Sequence, residues 1–300
     1  MNTPAKLLLI TAGLLLTTAS VAQSEARDDA EELKIAALEA LITAPPERAL
    51  PLVEKVLAGN NSVEVKERAL FILSQIDEPE AQSTLLRFAR EANGELQAEA
   101  IRMIGIGGDK EALAGLGEIY QAGNREVRDA VLEAYLIAGD KQAVFEIAAN
   151  TDSEEDFEEA VDMLGAMGAR DELRELRGRT GMSDSLIDAY AISGDFETLR
   201  ELALDSSNVE LQTQAIEAMG VVGGDQVDST LVEIYKGAAS DEVREAALEG
   251  LLISGNDAGV LELYRASDSS AEKKELLEYL VMMGSDDVWT IIDSALDGSQ

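Results

Sequence analysis

The chain has 300 residues, of which 59 are acidic and 24 basic, giving a formal net charge of −35, and it contains neither histidine nor cysteine. Those two absences exclude disulfides, thiol nucleophiles, thiolate metal sites, Ser-His-Asp triads and any side chain that titrates unperturbed near pH 7. The charge speaks against a nucleic-acid partner, because phosphates are held by Lys and Arg. Two-carboxylate glycoside chemistry survives the filter, but one Trp and 4% aromatic residues leave little for a sugar ring to stack on.

At the N-terminus, Lys6 supplies a positive charge, Leu7 to Leu16 forms an apolar run, and Ser20-Val21-Ala22 places small residues at −3 and −1 before Gln23. This is the layout of a secretory signal peptide. Residues 1–22 read as an export signal and 23–30 as a short linker. A membrane span needs roughly 20 apolar residues, and Thr17, Thr18 and Ser20 cut this run short, so no stable membrane insertion is expected after cleavage. No Cys is available to carry a lipid. The product is expected to be exported, periplasmic or secreted, and a cysteine-free chain suits a bacterial periplasm.

From residue 31 to 300 the chain reads as one repeat array. A leading helix, Asp28 to Thr43, comes first. Turns then recur about every 30 residues, at Ile76-Asp77, Gly108-Asp109, Gly139-Asp140, Gly168-Ala169, Gly194-Asp195, Gly223-Gly224, Gly255-Asn256 and Gly284-Ser285. Gly ends a helix in the left-handed conformation at little cost, and the Asp or Asn after it can cap the next helix. Softer breaks such as Asn60-Asn61-Ser62, Gly123-Asn124 and Ser240-Asp241 halve each period, so each unit holds two helices, A and B. The 26-residue spacing from Gly168 to Gly194 predicts a shortened pair. Val127, Val131, Ala134 and Ile137 follow a helical i, i+4, i+7 series, no period-two alternation stands out, and no Pro follows Pro79. A final helix runs from Asp287 to Leu296. The fold class is all-α: an α-solenoid of about eight to nine helical hairpins. The six tyrosines are expected in the core, and Trp289 beneath the last helix.

Val243-Arg244-Glu245-Ala246-Ala247-Leu248-Glu249-Gly250-Leu251-Leu252-Ile253-Ser254-Gly255-Asn256 closely resembles the inner helix of a HEAT repeat, in the short HEAT-like or PBS-lyase-like form. Val127 to Leu132, Val65 to Leu70 and Leu211 to Gly223 echo it. Ala49 to Leu57 resembles the outer helix, with Pro51 where that family often has one. The resemblance implies a right-handed superhelix with B helices lining a concave face. In most members it implies a binding scaffold. The bilin-lyase branch is the exception, and no residue beyond the repeat pattern points to bilin chemistry.

Aligned on their closing turns, the B helices give columns of equivalent residues. One column reads Phe71, Arg102, Glu133, Asp162, Asp188, Glu217, Glu249, Glu278; six consecutive units place an acid there. Four positions later the column reads Gln75, Ile106, Ile137, Ala166, Ile192, Val221, Ile253, Met282. Residues four apart share a helix face, so an acidic ladder would run beside an apolar stripe, a surface suited to a basic amphipathic segment. A chain this acidic also fills exposed columns with acids for no ligand's sake, and the apolar column can equally pack on the next repeat. Glu154-Glu155-Asp156 with Glu158, Glu159 and Asp162 lack the Asp-x-Asp-x-Asp-Gly calcium loop; no metal and no cofactor are expected.

The sequence therefore reads as a non-catalytic exported scaffold that binds a protein or peptide partner through Glu133, Asp162, Asp188, Glu217, Glu249 and Glu278. The alternatives are a carboxylate-only enzyme or lyase-type HEAT-like protein, which needs two close acids in a deep pocket, and a structural spacer without a specific ligand. Self-repulsion in so acidic a stack is relieved by screening. The melting temperature is expected to rise with added salt from low to moderate ionic strength, and a thermal scan that stays flat or falls contradicts this.

Overall fold

A computed structural model describes residues 29–296 of the chain. The signal-peptide reading of residues 1–22 lies outside the described residues. The described residues are helices joined by short turns, with no strand among them. Their contacts form two compact units, divided between Asp140 and Lys141.

In the first unit, α1 (29–39) runs into a 3-10 turn, Ala40–Thr43. Three A/B hairpins follow: α2 (Pro46–Ala58) with α3 (Val63–Ser74), α4 (Pro79–Glu91) with α5 (Glu95–Gly107), and α6 (Lys110–Ala122) with α7 (Arg125–Ala138). The second unit has five: α8 (Lys141–Asn150) with α9 (Glu154–Ala166), α10 (Arg170–Thr180) with α11 (Asp184–Ser193), α12 (Phe196–Ala203) with α13 (Val209–Val222), α14 (Asp225–Gly237) with α15 (Asp241–Ser254), and α16 (Asp257–Ala266) with α17 (Ser270–Met282). The helix α18 (Asp287–Leu296) closes it. This is an all-α HEAT-like solenoid architecture, and its hairpins fall where the repeat places them. The predicted short pair is real, α10 and α11 having 11 and 10 residues, although α12 with 8 is shorter still.

Local chemistry sets the boundaries. Gly139, Gly194 and Gly255 end α7, α11 and α15 in the left-handed region. Asp109, Asp195 and Asn256 then accept backbone N–H bonds as caps of the next helix. At the softer breaks Ser62, Asn124, Ser153, Ser183, Asn208, Ser240 and Ser269 do the same for B helices. Such caps are worth about 1 kcal/mol each.

Each unit is stacked chiefly through its B helices: α3 on α5 on α7, and α9 on α11 on α13 on α15. Two of these joints are backbone to backbone. A Cβ on Gly105 of α5 would stand 2.6 Å from the Ala134 carbonyl oxygen and 2.7 Å from its Cα. A Cβ on Gly220 of α13 would stand 2.5 Å from the Gly250 carbonyl oxygen of α15. Gly165 of α9 approaches Ala189 of α11 almost as closely, its would-be Cβ 3.1 Å from the alanine Cα. Around these joints the core is aliphatic, with Leu73, Ile101, Ile104 and Leu132 in the first unit and Leu164, Leu173, Leu199 and Leu231 in the second fully buried.

Four tyrosines, Tyr120, Tyr135, Tyr190 and Tyr235, are buried as expected, while Tyr264 and Tyr279 are only half-buried. The hydroxyls of Tyr135 and Tyr190 donate to carbonyls of the paired A helix, at Leu113 (3.3 Å) and Leu173 (3.1 Å). Trp289 corrects its expectation. It is 66% exposed on the outer side of α18 and does not pack beneath it.

One buried acid earns its place through partners. Burial by itself would raise the pKa of Asp195, but the Arg174 guanidinium grips both its oxygens (Nε 2.8 Å, Nη2 2.5 Å), and Thr198 donates from its hydroxyl at 2.8 Å and from its N–H. The carboxyl is held below the ordinary carboxylate range.

Overpacking a backbone contact usually costs about 1–3 kcal/mol, and more where nothing can yield. Gly220→Val is therefore expected to lose about 3 kcal/mol or more in urea denaturation. Gly178 of α10 has nothing within 4 Å of a would-be Cβ, so Gly178→Ala should gain about 0.5–1 kcal/mol from helix propensity. Equal effects at the two glycines would refute the backbone contact.

Candidate functional site

The apolar column of the B helices lies at the surface. In the second unit Ile192, Val221, Ile253 and Met282 are 56%, 59%, 53% and 61% exposed. In the first unit Ile106 and Ile137 are also exposed. These side chains do not pack on the next repeat. They stand in the last turn of each B helix, Ile106 and Val221 directly after the joint glycines Gly105 and Gly220 and so turned about 100° away from the joint. An exposed run of large aliphatic side chains in register is the mark of an interaction surface.

The acidic column lies on the same helix faces, one turn earlier. Asp162, Asp188 and Glu278 are exposed, and Glu217 and Glu249 are half-buried. Neighbouring rungs interact. Burial, and then the charge of Asp188, raises the pKa of Asp162. Burial raises that of Glu217 too, helped by the charges of Glu249 and Glu245 and by a hydrogen bond shared with the Glu249 carboxyl. Tyr279 of α17 stands in the field of Glu249, Glu245 and Glu275, and its pKa is raised, first by burial and then by those charges. Among the described residues no ion pair reaches Asp162, Asp188, Glu217 or Glu249.

The two ends of the sequence-derived ladder differ from its middle. Glu278 has Lys274 3.8 Å away on its own helix. Glu133, in the first unit, accepts from Arg102 Nε at 3.0 Å. Arg102 occupies the ladder position of α5 and is also paired with Glu99 at 2.5 Å. One hairpin earlier, Arg68 pairs with Glu39 at 2.7 Å and lies 5.5 Å from the Phe71 ring centre. The ladder acid of the first unit is thus paired with an arginine, whereas Asp162, Asp188, Glu217 and Glu249 of the second are not; Glu67 on α3 still has its pKa raised, first by burial and then by the charges of Glu99, Glu95 and Glu64. The alternation Arg102–Glu133 stood in the column itself; Glu245, Glu275 and Tyr279 lie in columns the sequence reading passed over.

The acids Glu154, Glu155 and Asp156 form the first turn of α9 behind its Ser153 cap, where the helix dipole favours negative charge. No group of three or more acids is gathered in metal-binding geometry among the described residues. No helix among them is long and apolar enough to cross a membrane.

With the geometry in view, comparison with known proteins places the chain. Residues 50–136 match the family model for HEAT repeats. The hairpins on either side of that segment continue the same HEAT-like architecture. Two solved structures are similar to the chain at low identity. The complex of CpcE and CpcF of phycocyanin lyase from Nostoc sp. PCC7120 is 16% identical with a TM-score of 0.35, covering 80% of this chain and 95% of that one. Human deoxyhypusine hydroxylase in complex with glycerol is 18% identical with a TM-score of 0.34, covering 90% and 92%. None of the curated proteins matches the chain. Both solved structures bear the names of enzymes, which corrects the expectation of a chain without catalysis: repeat architecture and the lack of His and Cys do not exclude activity, and the fold alone does not show one.

The raised pKa of Glu217 has a sign. A native carboxyl that binds its proton more tightly than the unfolded one contributes stability below its ordinary value of 4.5, and this is lost as pH rises through the folded value. Glu217→Gln should therefore raise the melting temperature at pH 7.5, with a stability gain of about a few tenths of a kcal/mol, the scale of a like-charge pair at a helix surface. The gain should disappear at pH 4. A variant that melts lower than the parent at pH 7.5 contradicts the repulsion.

Proposed function

We propose that the protein is an exported scaffold that holds a protein or peptide partner on its B-helix face. The observation that carries this reading is the exposed aliphatic row Ile192, Val221 and Ile253, presented by the stacked B helices α11, α13 and α15, with Met282 exposed at the same position of α17. The binding residues are Asp162, Asp188, Glu217, Glu249 and Glu278, beside that row. Glu133 is set apart by its pairing with Arg102. Export rests on the residue pattern of the first 22 positions, and an exported product is expected to begin at Gln23.

A second reading, carboxylate acid–base chemistry, is favoured by Glu217 and Glu249 standing on adjacent stacked B helices, where burial and then the Glu249 charge raise the pKa of Glu217. Against it, the row beside the pair is half-open to water, whereas acid–base sites work in water-excluded clefts.

Photo-crosslinking in the producing cell separates a docking face from inert surface. A photoreactive residue at Val221 is expected to trap a discrete product of higher mass, and one at Ser229, exposed on the A helix α14, is expected to trap none. Identical patterns at both positions would dismiss the scaffold. Mass spectrometry of the exported chain checks the start at Gln23.

A further inference from the structure

We propose that the B-helix face of the second unit takes a basic amphipathic segment of another protein, with its apolar residues on Ile192, Val221, Ile253 and Met282 and its lysines or arginines against Asp162, Asp188, Glu217 and Glu249. This rests on the scaffold reading and names the chemistry of the partner.

Charge complementarity carries the assignment. The four acids form consecutive rungs, and no cation of the described chain pairs with them. Empty, the face bears mutual repulsion between Asp162 and Asp188 and between Glu217, Glu245 and Glu249. A cation seated between rungs removes that repulsion, so attraction is gained in the complex and repulsion is lost from the free state. An acidic or neutral segment would leave these carboxyls, of which Glu217 and Glu249 are half-buried, facing its own surface uncompensated, which costs affinity.

The first unit shows that such a cation fits. Arg102 stands in the ladder column of α5, and its guanidinium reaches Glu133 on the next rung at 3.0 Å while pairing with Glu99 on its own helix. A side chain of that length at that column therefore bridges adjacent rungs. The first unit supplies this cation from its own sequence; the second leaves the equivalent places to acids.

The four acidic rungs, on the packed helices α9, α11, α13 and α15, set the size of the occupant. Packed helices lie about 8–10 Å apart, so four rungs span roughly 25–30 Å. A helix of about 18 residues covers that length at 1.5 Å per residue.

The test is fluorescence-anisotropy titration of the full-length exported chain with a dye-labelled 18-residue amphipathic helix of Lys and Leu, and with the same peptide carrying Glu for Lys. The Lys peptide is expected to bind, more weakly as salt rises, and the Glu peptide at least tenfold more weakly. Glu217→Gln/Glu249→Gln should weaken the Lys peptide about tenfold, and Ile253→Ser, at an exposed position that tolerates the change, severalfold. Glu197→Gln/Glu233→Gln removes the same charge from exposed sites on the A helices α12 and α14 and should change binding less than twofold. Equal losses from the two double variants would reduce the binding to general attraction by an acidic chain and overturn the proposal. A Glu peptide that binds as well as the Lys peptide would also overturn it. The scaffold reading fails separately: a Val221 crosslink to a partner whose docking segment is acidic or neutral retains the scaffold and removes this inference.

Discussion

Where Gly220 of α13 meets Gly250 of α15, no side chain stands between the two helices, and the carbonyl of one fills the space a Cβ would need on the other. The contact between Gly105 and Ala134 repeats the arrangement in the first unit. Dispersion falls steeply with distance, so backbones this close bring the flanking Leu and Ile side chains of both helices into full contact and close off water. The repeat has few aromatic residues to fill wider gaps. Close approach is how a chain built from Ala, Leu, Ile and Gly reaches core density.

The same approach shapes the surface. Each B helix contributes one buried row to the joint and, on its other flank, residues that the next helix cannot cover. Those are the acids of the ladder column and the aliphatic side chains one turn later. In the first unit Arg68 and Arg102 reach Glu39, Glu99 and Glu133. In the second, Lys274 reaches Glu278, and Arg174 and Lys236 are taken up by Asp195 and Glu262, so none of these cations reaches Asp162, Asp188, Glu217 or Glu249. Two stacks of like architecture thus differ at the ladder column, where one places an arginine between acids and the other places acids throughout.

The repeat, its turns and its capping residues were readable because they depend on chemistry local in sequence: a Gly that accepts positive φ and an Asp, Asn or Ser that binds an N–H two or three residues on. The acidic column was equally readable. Whether the apolar column faced solvent was not, since periodicity places Val221 and Ile253 on a face without saying what lies opposite. The exposure of Trp289 escaped for the same reason. The grip of Arg174 on Asp195 spans two hairpin positions that no local pattern links. The tight joints, by contrast, left a trace that went unread. Three residues before the closing turns stand Leu73, Gly105, Leu136, Gly165, Ala191, Gly220, Leu252 and Val281, and in every second hairpin up to Gly220 that residue is glycine.

That alternation gives the array a longer beat than its hairpin. Gly105, Gly165 and Gly220 each face a small residue on the following B helix, while Leu73 and Leu252 carry bulk at the same level. Backbone-to-backbone joints thus alternate with bulkier ones from Gly105 through Gly165 to Gly220, and over that stretch the period of the packing is four helices, twice that of the hairpin.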